Sequence, residues 1–164
     1  MKDNMINLRP LRREDASFLC SIFKDNADYY QIFFDPANTL KDWECRVSRF
    51  LVQTDMYHCI IESDRAPVGW LSYYDAENSE RELCVLVLHP DHLCKGYGAQ
   101  SLAQLIEKSK AQGMDCLLLN VNQANARAIR FYERFGFKII GEEIVPECND
   151  AINLAQYQMR LTLA

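Results

Sequence analysis

Two glycines flank Tyr97 where an apolar, strand-like stretch gives way to an apolar-periodic helix: LHPDHLCKGYGAQSL, residues 88–102. Gly96 and Gly98 stand there beside Lys95. The first N–H groups of a helix have no partner inside it and carry partial positive charge. Glycine lets an anion's oxygens approach that backbone closely, and phosphate is the usual occupant. The same glycines also suit a plainer reading, in which they only make a sharp strand-to-helix turn. A Walker loop ends in Gly-Lys-Ser/Thr, and here lysine precedes glycine. A dinucleotide fingerprint needs a third glycine where Ser101 stands, and an acid at the tip of the next strand, where Asn120 stands. Both nucleotide patterns fail on those residues. His89 and His92 straddle Pro90 with no third ligand in register, so no metal site is expected.

Two further side chains could handle protons. Glu82 opens the apolar stretch 81–88, in alternation with Cys84, Leu86 and Leu88, a phase that a β-bulge would break. Its carboxylate is either a proton acceptor acting through water or a solvated strand end. Tyr132 lies on the inner face of a helical pattern, as either a phenolic proton donor or a core tyrosine with a satisfied hydroxyl. Asn125 has the position of a helix cap.

These groups need elements to hold them. The chain has 164 residues, 49% of them hydrophobic, which fits one domain of ordinary size with a real core. Ile6–Leu11 reads as a strand. Helices are expected over Glu14–Lys24 and over Thr39–Val52, where Thr39 and Asp42 have capping-box spacing. The period then changes. Tyr57–Glu62, Val68–Tyr74 and Arg81–Leu88 read as strands, with Ser63–Pro67 and Asp75–Glu80 as hairpin connections. A helix over Gly98–Gln112 is ended by Gly113. Cys116–Val121 reads as a buried strand, and Asn125–Phe135 as a helix with Ala128, Phe131, Tyr132 and Phe135 on one side. Phe137–Glu143 and Ala155–Leu163 are the last strands. One helix joins strands 81–88 and 116–121, so they are expected to be parallel neighbours. The class is α+β: a single mixed, mostly antiparallel sheet of six to seven strands with four helices.

The net charge of −5 argues against a general nucleic-acid footprint. Residues 91–138 carry +3 against −5 for residues 1–90. That suits an anionic ligand in the middle and a cationic one earlier, and scattered surface charge explains it equally well. Seven cysteines, none two residues from another in C-x-x-C spacing, argue for a reducing cytoplasm. Several fall in apolar strands, where a free cysteine behaves as a small buried hydrophobe. No apolar run approaches the roughly 20 residues of a membrane helix. The opening MKDNMINLRP lacks the pattern of a secretory leader.

The stretch Leu86–Ala99, LVLHPDHLCKGYGA, resembles motif A of the GNAT acetyltransferase superfamily: an apolar strand, a proline, then Gln/Arg-x-x-Gly-x-Gly/Ala. Residues 120–137, NVNQANARAIRFYERFGF, resemble its motif B through Asn122, Asn125, Ala128, Tyr132 and the Gly136-Phe137 pair. The order of elements over residues 1–164 fits as well. The resemblance implies a GNAT-like fold, its central parallel pair splayed around acetyl-coenzyme A (acetyl-CoA), and an N-acetyltransferase activity. It implies that the loop Leu93, Cys94, Lys95, Gly96, Tyr97, Gly98 and Ala99 holds the pyrophosphate. The pantetheine arm would then lie along Leu86, Val87 and Leu88, with Asn120, Asn125, Ala128 and Phe131 nearby. Tyr132 would be the acid for the leaving thiolate, and Glu82 the base for the amine. The acceptor, a small amine or a peptide amino group, would meet Tyr29, Tyr30, Phe33, Tyr73 and Tyr74, where aromatic rings and carboxylates suit a cation. Leu93 stands where Gln or Arg is usual, and Cys94 where glycine is frequent. Two other functions stay open: an acyl-CoA sensor without turnover, and transfer of another acyl group such as succinyl. A homodimer through Ala155–Leu163 is a further expectation, and neither a nucleic-acid nor a membrane partner is expected.

Overall fold

Seven strands form one mixed sheet in the computed structural model, which describes residues 5–24, 37–146 and 153–163. They are β1 (Ile6–Pro10), β2 (Met56–Ser63), β3 (Ala66–Asp75), β4 (Glu80–Leu88), β5 (Cys116–Asn122), β6 (Lys138–Pro146) and β7 (Asn153–Thr162), in the order β1-β2-β3-β4-β5-β7-β6. The described residues hold four α-helices: α1 (Ala16–Lys24), α2 (Leu40–Phe50), α3 (Tyr97–Ala111) and α4 (Ala126–Arg134). β1–β2, β2–β3, β5–β7 and β6–β7 pair antiparallel. β4 and β5 pair in parallel, from Glu80↔Cys116 to Leu83↔Leu119, as a helical connection between adjacent strands requires. No helix of the described residues is long and apolar enough to cross a membrane.

The chain packs as two compact units, Met1–Tyr74 with Val85–Leu105, and Asp75–Cys84 with Ile106–Ala164. In the first, Leu19, Ile22 and Phe23 of α1 and Trp43 and Val47 of α2 close over Ile60, Trp70 and Val87. Phe23 stacks on Trp43 at 4.9 Å, and Trp43 meets Trp70 edge-on at 6.4 Å. Thr39 caps α2 as its spacing with Asp42 predicts: Asp42 N donates to Thr39 Oγ1 at 3.3 Å, and Thr39 N donates to Asp42 Oδ2 at 2.7 Å. The α1 pattern begins differently. Residues 13–15 form a tighter 3-10 turn, because the Asp15 carboxylate accepts from Arg12 N at 2.7 Å and from both terminal nitrogens of Arg9, at 2.7 and 2.8 Å.

In the second unit, Arg81 is buried to 1% exposure, and its charge is answered on the spot. Asp75 takes two hydrogen bonds from it, at 2.6 and 3.0 Å, and Ser109 of α3 a third at 3.1 Å. This ties α3 to β4. Of the described cysteines, Cys20 and Cys116 are buried, whereas Cys45, Cys84 and Cys94 are exposed. Cys84 thus departs from the expectation for a strand cysteine: it is exposed, next to the buried Leu83.

His58 shows what burial in the first core does to a titratable group. Its ring stacks on Phe50 at 4.2 Å and lies 5.9 Å from Trp70. Burial pushes its pKa from 6.5 down to about 4. Between those values the folded chain binds fewer protons than the unfolded one. The stability is therefore complete above pH 6.5 and falls as the pH drops through the window, by about 2 kcal/mol at pH 5. Denaturant titration is expected to show His58→Phe losing less stability than the parent between pH 7 and pH 5; equal losses would contradict this.

Candidate functional site

In the first unit, β4 leaves the sheet at His89, whose N–H donates to Val68 O of β3 at 2.9 Å. The His89 ring accepts from Asp91 N at 3.3 Å and so caps a single 3-10 turn, Pro90–His92. Pro90 suits the first position of that turn, where an N–H would have no partner. Cys94 (φ +59°) and Gly96 (φ +81°) then carry the chain through the left-handed region into α3. The helical ladder starts with Gln100 N donating to Gly96 O at 3.0 Å. The amides of Gly98 and Ala99 lie ahead of it, at the positive end of the helix. A Cβ on Gly96 would meet nothing nearer than Gln100 Nε2, at 4.0 Å, so the space over the turn is open and the backbone angle alone demands glycine. Lys95 is exposed beside it. Burial, then the charges of Lys95 and His89, lower the pKa of His92.

Three side chains fix this turn. Tyr97 is buried, and its hydroxyl accepts from Ser63 Oγ at 3.2 Å, so its side chain serves the core while its backbone belongs to the loop. Gln100 Oε1 accepts from Ile6 N at 3.3 Å, and Gln104 Nε2 donates to Ile6 O at 3.0 Å. β4 is pinned separately. A Cβ on Gly69 would stand 2.5 Å from Val87 O and 2.7 Å from Leu88 Cδ2, so only glycine lets β3 and β4 approach this closely. Val87 is buried, and Leu86 and Leu88 are half-buried. Sequence reasoning passed over Ser63, Gly69, Gln100 and Gln104; a lone glycine inside an apolar strand was the one available signal.

In the second unit, Glu82 is half-buried, pairs with Leu118 in the parallel ladder, and accepts from Asn120 Nδ2 at 3.4 Å. Glu80 is served by Arg160 Nη1 at 3.4 Å and by the Cys116 thiol at 3.6 Å. Beyond β5, Asn122 Oδ1 accepts from Ala124 N at 2.9 Å, and Asn125 Oδ1 caps α4 by accepting from Ala128 N at 3.0 Å. The α4 face expected to point inward is not a core face, since no residue of α4 is buried. Tyr132 is half-buried, with its ring edge-on to Phe131 at 5.2 Å and to Phe137 at 5.6 Å. Ala128 is half-buried too, and Phe131 also packs on Phe135 at 5.3 Å.

Of the aromatics expected at an acceptor, Tyr73 is buried and stacked on Tyr57 at 4.9 Å, and Tyr74 is half-buried. Tyr29, Tyr30 and Phe33 lie outside the described residues. The first unit thus offers donors for an anion's oxygens, and the second offers a carboxylate and a phenol.

Residues 19–137 match the model of the Acetyltransferase (GNAT) family. The chain is 28% identical over 143 residues to the peptidyl-lysine N-acetyltransferase YjaB of Salmonella typhimurium, covering 87% of this chain and 90% of that protein. It shares the fold of spermidine N-acetyltransferase from Vibrio cholerae, solved in complex with CoA and spermine, with a TM-score of 0.82 at 17% identity over 98% of this chain and 97% of that one. YncA from Salmonella typhimurium, a putative acetyltransferase solved with acetyl-CoA, shares it with a TM-score of 0.72 at 17% identity, over 97% and 94%.

The two left-handed positions respond oppositely to substitution. Gly96→Ala is expected to cost about 1–2 kcal/mol, whereas Cys94→Gly, which relieves the same strain, is expected to be neutral or stabilising by up to about 1 kcal/mol. Equilibrium unfolding reads both, and a Gly96→Ala variant as stable as the parent contradicts the turn. Gly69→Ala is expected to cost about 1–3 kcal/mol through overpacking against Val87; no loss in the same measurement contradicts the close approach.

Proposed function

The chain belongs to the acetyltransferase (GNAT) family, and we propose that it moves the acetyl group of acetyl-CoA onto the primary amine of a small molecule or a peptide by direct attack on the thioester, with residues 1–164 acting as a single catalytic domain. The observation that carries this reading is the turn into α3. Amides lie ahead of the helical ladder, open space lies over Gly96, and Lys95 stands beside both. Those groups fit a pyrophosphate, whose oxygens accept N–H donors and favour the positive end of a helix. When bound, acetyl-CoA supplies the activated acyl group. The departure at Cys94 does not remove the turn, because Cys94 adopts the left-handed conformation itself.

The residues of this chain then divide the work. Backbone groups of Leu86, Val87 and Leu88 hold the pantetheine arm. An N–H there that faces the developing oxyanion contributes about 3 kcal/mol. An amine with a pKa of about 10.4 needs about 4.6 kcal/mol to shed its proton at pH 7. Glu82 accepts that proton, directly or through water, and Tyr132 donates one to the departing thiolate and is refilled from solvent. The relatives' names support the acceptor class, since peptidyl-lysine and spermidine both present primary amines.

The test is incubation with acetyl-CoA and a panel of spermidine, a lysine peptide, an alcohol and an anionic amino acid, with acetylated product detected by mass spectrometry. Transfer to the amines is expected. Tyr132→Phe is expected to lower kcat about 100-fold, with the KM for acetyl-CoA little changed. Preference for the alcohol over the amines, or an unchanged kcat in Tyr132→Phe, contradicts the reading.

A further inference from the structure

We propose that Asn120 is a positioning residue for Glu82, orienting one oxygen of the carboxylate through a neutral hydrogen bond; this rests on the reading of Glu82 as the base. Asn120 follows directly on Leu119, which makes the final pair of the β4–β5 ladder with Leu83. Glu82 is the partner of Leu118 in that ladder, and alternate residues of a strand share a face. Asn120 therefore lies one step beyond Leu118 on the face that Glu82 occupies, and its Nδ2 reaches Glu82 Oε1 at 3.4 Å.

The neighbouring strand continues the pattern. Gln158 of β7 stands opposite Asn120, and Gly141 of β6 stands opposite Gln158. A Cβ on Gly141 would come within 3.0 Å of Gln158 Oε1, so this row makes room for a second carboxamide. Two cations share this face: Arg160 stands opposite Leu118 and is directed at Glu80, and Lys138 stands opposite Arg160 on β6. Asn120 thus gives Glu82 an amide donor, and Arg160 gives Glu80 a guanidinium.

That difference matters for a base. A guanidinium pair holds a carboxylate firmly and makes it a poorer proton acceptor. A carboxamide donates one hydrogen bond without a net charge, so it aims the oxygen and favours the ionised form only modestly. A base that takes a proton from an ammonium needs both orientation and retained basicity. The arrangement assigns Asn120 to the proton-transfer step, whereas the family resemblance alone groups it with the cofactor.

The experiment compares the pH profile of kcat/KM for acetyl transfer to spermidine and to a lysine peptide with the affinity for coenzyme A measured by calorimetry. Asn120→Ala is expected to lower kcat/KM about 5- to 10-fold and to move the acid limb about half a pH unit upward, the effect of one lost hydrogen bond to an ion. Its affinity for coenzyme A stays at the parental level. Asn120→Gln restores part of the rate, and Asn120→Asp moves the limb further up by like-charge repulsion. An acid limb that does not move in Asn120→Ala, while Glu82→Gln abolishes transfer, overturns the inference alone. So does weakened coenzyme A binding with an unmoved limb. Parental rates in Glu82→Gln, or no transfer by the parent protein, overturn the reading of the base or of the enzyme, and the inference with it.

Discussion

The turn into α3 depends on a backbone conformation: two left-handed residues, Cys94 and Gly96, at the entrance to the helix. A helix cannot satisfy its own first amides. Most proteins cover them with a capping side chain, as Thr39 and Asn125 do for α2 and α4. At α3 the chain turns sharply instead, and the amides of Gly98 and Ala99 lie ahead of the helical ladder. The cost at Cys94, a side chain held where glycine is favoured, is about 1–2 kcal/mol. Such strain persists only where the surroundings enforce it. Here the buried Tyr97 and the Gln100 and Gln104 contacts to Ile6 supply that enforcement.

β4, the strand that holds Glu82 and Leu86–Leu88, is fixed near both ends by different forces. Near Leu88 the constraint is steric, with the missing side chain of Gly69 letting the β3 backbone press on Val87 O. At Arg81 it is electrostatic, with a buried guanidinium satisfied by Asp75 and Ser109. A buried charge kept in this way contributes more to placement than to net stability, since its desolvation offsets most of its attraction. Glu82, one residue on, sits in a strand that has little freedom to shift.

The sequence made the local features legible. The strands and helices fall close to where the periodicities put them, the Thr39–Asp42 capping box forms, and the glycine-bearing turn lies at the mouth of α3. These signals live within a few residues of one another, where propensity and sterics act. The links that hold the site were not legible. Ser63 and Tyr97 are 34 residues apart, Ile6 and Gln104 are 98 apart, and Glu82 and Asn120 are 38 apart. Strand register and helix rotation decide such contacts, and no spacing rule encodes them. The apolar period of α4 located a face correctly but could not say whether protein covers it, and Tyr132 is half-buried where an inward face was expected. The cysteines carried a similar ambiguity, since Cys84 and Cys116 occupy neighbouring strands and only Cys116 is buried.

The claim that the α3 entrance grips a pyrophosphate is tested most directly by calorimetry at low salt, comparing coenzyme A with pantetheine, which keeps the thiol arm and lacks the phosphates. Charge-assisted hydrogen bonds to the backbone amides predict that coenzyme A binds and that pantetheine binds at least about 100-fold more weakly. Equal affinity for the two, or no measurable binding of coenzyme A, would contradict the account.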